Sequence, residues 1–140
     1  MTLAAQLSFR YHRVMRSVHV DLEKVRDFLD AREEQRRRRL GQRCEQANRD
    51  FRAIVGMIVS KYKPKRIWQW GSLLRPERFS EISDIDIALE GLGSPETCFA
   101  VLRDADGMTE FPLDIVELER IHPVHAENIR KKGKLIHEEP

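Results

Sequence analysis

The sequence predicts an α/β (α+β) protein with a small mixed sheet, flanking helices and a long N-terminal helix. Three observations lead to this prediction. Apolar residues recur at helical spacing through the first third of the chain, short apolar strand patterns occupy the second half, and helical patterns separate those strands. Because strands alternate with helices, we expect helices to cover the faces of the sheet.

The composition favours one soluble domain. A chain of 140 residues can bury a single hydrophobic core, and its charged fraction of 34% exceeds the roughly 25% of average domains. Two cysteines are too few for a disulfide framework. No apolar run approaches the roughly 20 residues of a membrane span, and the first residues lack the pattern of a signal peptide. We therefore expect a cytoplasmic protein without a membrane segment.

The N-terminal helix is predicted over residues 3–40, which contain neither Gly nor Pro, and Leu40-Gly41 is expected to end it. Because monomers rarely expose a long apolar stripe, we expect this stripe to be buried in a homo-oligomer or against a partner helix. The stripe repeats every three or four residues and consists of Leu7, Tyr11, Val14, Val18, Leu22, Val25 and Leu29.

Charge divides the chain into two parts. Residues 1–60 carry 13 Lys/Arg and 8 Asp/Glu, whereas residues 61–140 carry 12 and 15. We predict an N-terminal helical extension over residues 1–43, for oligomerisation or partner docking, and a second domain over residues 44–140. The arginine run at 36–39 has no interleaved aromatic residues for stacking, which argues against nucleic-acid binding.

From residue 44 onwards the predicted elements alternate between helix and strand. In order, they are a helix over 44–61, a strand over 66–70, a short helix after Gly71-Ser72, a strand over 83–89, a helix capped by Ser94, a strand over 111–118, a helix over 123–132 stopped by Gly133, and a short edge strand at Leu135-Ile136.

Asp84 and Asp86 carry the most informative pattern. They lie two residues apart on a predicted strand, so both carboxylates project from one face while Ile85 and Ile87 occupy the other. Close like charges are unfavourable unless a cation lies between them, and oxygen ligands favour Mg²⁺ or Mn²⁺. If the strand of Asp114 is adjacent, three carboxylates can hold two metals that clamp the attacking and leaving oxygens of a phosphoryl-type transfer.

Gly71-Ser72 follows the first strand and provides a candidate phosphate site. Glycine permits close backbone approach, and backbone N–H groups together with the Ser72 hydroxyl can hold phosphate. A plain helix cap is the alternative for Ser72, and a surface position is the alternative for Arg75. Three other acids compete with Asp114 from less favourable positions: Asp104, Asp106 and Glu117.

The pattern Gly-Ser, eleven residues, Asp84-Ile85-Asp86 and a later strand aspartate resembles the DNA polymerase beta-like nucleotidyltransferase superfamily. Over residues 44–140 the chain resembles the minimal nucleotidyltransferases (MNT) of HEPN/MNT toxin–antitoxin pairs. The resemblance implies transfer of AMP from ATP to a hydroxyl, with two Mg²⁺ ions.

The same resemblance assigns roles to individual residues. Gly71, Ser72 and Arg75 are assigned to nucleotide binding. The aspartates are assigned to catalysis and to metal binding: Asp84, Asp86 and Asp114. Of these, Asp114 is also expected to help activate the acceptor.

The loop after Gly71-Ser72 departs from the family pattern. The family usually has Arg-Ala-Arg-Gly there, whereas this chain has Leu73-Leu74-Arg75-Pro76, and its spacing to Asp84 is one residue longer. Arg75 matches the second arginine, while Leu73 replaces the first. We expect these changes to affect triphosphate affinity and loop shape but not the metal ligands.

The resemblance implies an antitoxin that transfers AMP to a HEPN-type toxin. Two alternatives remain: a non-catalytic antitoxin that binds through the N-terminal helix, and a nucleotidyltransferase for a small molecule such as an aminoglycoside. Because a small substrate needs a concave pocket and little chain follows Asp114, we expect a macromolecular acceptor.

Overall fold

The computed structural model describes residues 2 and 19–140. The helices and strands are α1 (Leu22–Tyr62), β1 (Arg66–Trp70), β2 (Ile85–Glu90), α2 (Pro95–Asp106), β3 (Leu113–Glu117), α3 (Pro123–Lys132) and β4 (Lys134–Glu138). Two 3₁₀ turns, Ser72–Leu74 and Pro76–Arg78, connect β1 to β2. The predicted mixed α/β class is confirmed. Among the described residues, no helix is long and apolar enough to cross a membrane.

The helix α1 continues without interruption through Gly41, so the predicted helix end at Leu40-Gly41 is wrong. A side chain added at Gly41 would meet no heavy atom within 4 Å, which shows that no close contact fixes a turn there. A helical glycine costs only about 1 kcal/mol relative to alanine. Good helix formers on both sides therefore carry the helix past this residue.

The described start of α1 is capped by Asp21. Its carboxylate accepts hydrogen bonds from the backbone N–H groups of Glu23 and Lys24, at 3.1 and 3.2 Å. The structure therefore begins this helix at Leu22, and the predicted helical segment over residues 3–18 lies outside the described residues.

Four apolar side chains near the start of α1 are exposed, and we call them the apolar face: Leu22, Val25, Phe28 and Leu29. Their exposed fractions run from 43% to 74%. The remaining members of the predicted stripe, Leu7, Tyr11, Val14 and Val18, lie outside the described residues. The boundary between two compact units falls between Arg37 and Arg38 along the chain, and the division of function at residues 43 and 44 stays a prediction.

The sheet has four strands in the order β3-β2-β1-β4. β1 runs antiparallel to both β2 and β4, whereas β2 and β3 are parallel and are joined through α2. The predicted edge strand at Leu135-Ile136 is confirmed as part of β4. Because β3 forms the other edge, one of its sides has no strand neighbour within the sheet.

Helices cover both faces of this sheet. The larger core lies between the sheet and α1 and α2, and it includes Ile54, Ile58, Ile85, Ile87, Leu89 and Val101. The smaller core lies beneath α3 and includes Ala88, Leu118, Ala126 and Ile129, with Trp68 and Trp70 packed against it. Since side chains alternate along a strand, Asp86 lies on the α3 side, opposite Ile85 and Ile87.

An ion-pair network fixes α3 on the sheet. Arg130 Nε donates to Glu90 Oε1 at 2.8 Å, and Arg66 approaches the other Glu90 oxygen at 3.0 Å. Burial raises the pKa of Glu90, but the two guanidinium groups bring that pKa below its ordinary value. Network contacts of this kind hold α3 in one register along its face of the sheet.

The carboxyl end of α3 approaches β1 closely at Gly133. A side chain at this position would overlap the Ile129 carbonyl oxygen and would stand 2.8 Å from the Gln69 carbonyl oxygen. Glycine is therefore required by space rather than by an unusual φ, which is −78°. This approach places Lys132 beside the end of β1, where the candidate site begins.

Candidate active site

Asp86 and Asp114 are register partners on the parallel strands β2 and β3. Side chains at paired positions of neighbouring strands project from the same face. The predicted adjacency of the two aspartate strands is therefore observed. Asp86 is buried and Asp114 is partly buried, so the pair lies at the margin of the α3 face rather than in open solvent.

Asp84 lies directly before β2, after a turn in which Ser83 Oγ accepts a hydrogen bond from the Ser80 N–H at 2.9 Å. Burial, followed by the negative charges of Asp114 and Asp84, raises the pKa of Asp86 to about 7. Burial and the two neighbouring carboxylates therefore both disfavour the charged form of Asp86.

Gly71 brings the Gly-Ser turn directly against Asp86. Its φ of +80° favours glycine, and a Cβ at this position would overlap the Asp86 carboxylate. The two halves of the sequence motif are thus in contact in space. Trp70 and Asp86 are also register partners, which aligns the end of β1 with the start of β2.

Ser72 opens the first 3₁₀ turn, with Gly71 at the cap position and no side-chain cap. The plain helix cap considered for Ser72 is therefore not what the structure contains. Within the described residues, no hydrogen bond involves the Ser72 hydroxyl. Leu73 points into the larger core and is 4% exposed, whereas Arg75 is exposed.

A cavity of about 610 Å³ adjoins this turn. On the side of β1 and the two 3₁₀ turns, its lining includes all three predicted nucleotide-binding residues, Gly71, Ser72 and Arg75. Trp70 and Arg78 line the same side. None of the described residues that line this cavity is acidic.

The helix α3 forms the opposite side of the cavity through His125, Asn128 and Lys132, which lie at positions i, i+3 and i+7 on one helical face. The Trp70 and His125 rings meet edge to face, with centroids 5.5 Å apart. The indole Nε1 of Trp70 is buried without a hydrogen-bond partner among the described residues.

Sequence reasoning missed Arg78 and Lys132. Lys132 ends the run Arg130-Lys131-Lys132 before Gly133, which is a visible signal of a basic helix end. Only tertiary packing distinguishes the three: Arg130 binds Glu90, Lys131 lies 4.0 Å from Glu127, and Lys132 lines the cavity.

The donor set at the start of β2 suits a hard divalent cation, because it consists of carboxylate oxygens whose mutual repulsion a cation would offset. Among the described residues, no three His, Cys, Asp or Glu side chains stand close enough together to hold a metal ion. The strand register therefore aligns Asp86 with Asp114 without assembling a three-carboxylate cluster. The assignment of Asp84, Asp86 and Asp114 as metal ligands stays a prediction.

Two comparisons with known proteins bear on this site. A family model described as "Polymerase beta, Nucleotidyltransferase" matches residues 53–140. This range contains the Gly-Ser turn, all three aspartates and α3. No curated protein sequence matches the chain.

Proposed function

Because the chain belongs to the polymerase beta nucleotidyltransferase family, we propose that it transfers AMP from ATP to a hydroxyl group of a partner protein in an Mg²⁺-dependent reaction. The observation that carries this proposal is the contact of Gly71 with Asp86, with Asp114 as the strand partner of Asp86. This contact brings a candidate phosphate-binding turn beside two carboxylates.

In this proposal Gly71, Ser72 and Arg75 bind the triphosphate. The backbone N–H groups at the start of the turn and the Ser72 hydroxyl donate hydrogen bonds to phosphate oxygens, and the Arg75 guanidinium balances their charge. Asp84, Asp86 and Asp114 would hold two Mg²⁺ ions, which would supply electrostatic stabilisation of the attacking and leaving oxygens.

The proposed reaction is a nucleophilic substitution at the α-phosphorus of ATP. The acceptor oxygen forms a bond to this phosphorus, the bond from phosphorus to the bridging α,β-oxygen breaks, and pyrophosphate leaves with that electron pair. Asp114 accepts the proton that the hydroxyl loses. It lies on the edge strand β3, which has no strand neighbour on one side in the described part of the chain.

The partner that we propose is a HEPN-type toxin, with the chain acting as its antitoxin. The apolar face of α1 supports a protein partner, because four large side chains exposed close together on one helix are typical of an interaction surface. Docking at such a surface can offset a weak acceptor site by raising the local concentration of the hydroxyl. A neighbouring gene for an all-helical protein with an Arg-x(4–6)-His motif identifies the candidate partner to test.

The experiment compares two ATP labels. With the candidate partner and Mg²⁺, label at the α-phosphorus should appear on the partner, while label at the γ-phosphorus should not. Asp86→Asn should abolish this transfer, and the matched control Asp106→Asn, an exposed acid at the end of α2, should leave it unchanged. Transfer of γ-label, or full activity in Asp86→Asn, contradicts the proposal.

The apolar face of α1 also favours a second function, a binding module that neutralises its partner without chemistry. The two functions differ in one measurement. A binding module with Asp86→Asn should still protect cells that express the partner, whereas a transferase with this substitution should not. A third arm with aminoglycosides tests a small acceptor, and efficient labelling there without labelling of the protein contradicts the partner assignment.

A further inference from the structure

The cavity beside the Gly-Ser turn is lined by more positive charge than the sequence motif supplies. Arg75 and Arg78 lie on one side and Lys132 lies on the other, with no acidic residue among the described lining residues. Within the described part of the chain, none of these three side chains forms an ion pair. Uncompensated cations around one groove raise the local concentration of anions.

We propose that Arg78 and Lys132 bind the β- and γ-phosphates of the nucleoside triphosphate, an inference that rests on the proposed function. The reacting α-phosphorus must lie near Asp86 and Asp114, at the end where Gly71 contacts Asp86. The other two phosphates then extend into the cavity. Arg78 and Lys132 face them there from opposite sides.

The first 3₁₀ turn itself supplies no cation. Its Leu73 is 4% exposed and belongs to the larger core, and the nearest cationic side chain is Arg75 at the C-cap position of the turn. The second turn begins at Pro76, whose fixed φ suits the start of a helical turn, and it ends at Arg78. Charge absent from the first turn is thus supplied by the second turn and by α3.

The position of Lys132 is set by tight packing. Gly133 allows the end of α3 to approach the Gln69 carbonyl, and Arg130 holds the same helix to Glu90. A lysine fixed in this way loses little backbone entropy when it binds an anion. Lys131, one residue earlier, does not line the cavity and lies beside Glu127 instead.

The test measures binding by calorimetry without an acceptor, so that no turnover occurs. The probes are α,β-methylene-ATP with Mg²⁺, AMP and inorganic tripolyphosphate. Lys132→Ala and Arg78→Ala should each weaken binding of the methylene analogue and of tripolyphosphate about tenfold, which is typical of one lost charge-assisted contact. AMP, which lacks the β- and γ-phosphates, should bind equally well to all variants.

Two further variants complete the design. Lys131→Ala is the matched control and should bind all three probes as wild type does, whereas Lys132→Arg should retain most of the affinity. The dependence of affinity on salt should also decrease in Lys132→Ala, because one fewer cation contacts phosphate. The side chains of Arg78, Lys131 and Lys132 are all exposed, so these variants should unfold thermally as wild type does.

Each outcome decides the inference. Equal affinities for Lys132→Ala and Lys131→Ala, or no binding of tripolyphosphate by wild type, overturn it. If α-label transfer proceeds while triphosphate affinity is independent of Arg78 and Lys132, the inference fails and the proposed function stands. If both residues control tripolyphosphate binding but no label is transferred to any acceptor, the anion site stands and the proposed function fails.

Discussion

Asp86 has an unfavourable charged state in the folded protein. Its pKa in the folded protein is about 7, against 3.8 as its ordinary value, chiefly because of burial and then because of Asp114 and Asp84. The folded state therefore binds this proton more tightly than the unfolded state. The resulting stability is complete below pH 4 and is lost as the pH rises towards 7.

Asp86→Asn should remove this pH dependence. Without metal, we expect the variant to exceed wild type in unfolding free energy by about 1–2 kcal/mol at pH 8, after allowance for solvent screening, and to match it near pH 4. Thermal unfolding at both pH values in the presence of a chelator measures the difference. Adding Mg²⁺ should stabilise wild type more than the variant. A difference between the proteins that does not change with pH would contradict the assignment.

Gly71 and Gly93 allow a matched comparison of two glycine-to-alanine substitutions. Both have positive φ, +80° and +91°, but only at Gly71 would a Cβ overlap another group, the Asp86 carboxylate. Alanine at either site should cost about 1 kcal/mol or more of backbone strain. Gly71→Ala should cost about 1–3 kcal/mol beyond that, because the turn or Asp86 must move.

Denaturant unfolding measures both variants, and an ATP-binding assay should detect a loss in Gly71→Ala alone. Combining Gly71→Ala with Asp86→Ala should recover part of the lost stability, since the overlapping carboxylate is then absent. Equal destabilisation by Gly71→Ala and Gly93→Ala would show that contact with Asp86 carries no energy.

At the scale of elements, α1 contains two exposed glycines, Gly41 and Gly56, with no heavy atom near a possible Cβ. Replacement of either by alanine should therefore increase the free energy of unfolding by about 0.5–1 kcal/mol. Thermal unfolding measures this increase. Gly133→Ala should instead decrease the free energy of unfolding, because a side chain there would overlap the Ile129 carbonyl oxygen. Loss of stability at Gly41 would indicate that the helix needs a break there.

The strands and the last two helices were predictable because their signals are local. The alternation of Ile85, Asp86 and Ile87 marks a strand, and Ser94 caps α2 by accepting the Thr97 N–H. The end of a helix at Gly41 was predicted incorrectly, because glycine alone does not terminate a helix whose flanks favour helix. Asp21 is a common type of N-cap residue, but the apolar stripe that continues on both sides of it predicted an uninterrupted helix.

Residues of the candidate site could be selected from the sequence only where a local motif or a strand pattern contains them. Gly71, Ser72 and Arg75 share a segment, and the helix α2 between β2 and β3 favours a parallel pair of strands. Lys132 lies 57 residues after Arg75 along the chain, so only packing of α3 against β1 brings it to the same cavity.

At the scale of the whole molecule, the apolar face of α1 should mediate self-association in the absence of another partner. Val25→Glu combined with Leu29→Glu should weaken association at least about tenfold, because two apolar contacts become charged while helix propensity is kept. Sedimentation velocity over a concentration series measures this. Gln35→Glu adds charge on the same helix outside the apolar face and should have no effect, and a monomeric wild type would contradict the expectation.

The edge position of β3 has a consequence for the motions of the site. A strand paired on one side opens locally more often than an interior strand, so Asp114 should be held less firmly than Asp86 on β2. Amide hydrogen exchange in β3 should therefore be faster than in β1 or β2 in the free protein. A bound nucleotide and metal that contact Asp114 should slow amide exchange selectively in β3. Ligand binding and the ordering of this strand are then thermodynamically coupled.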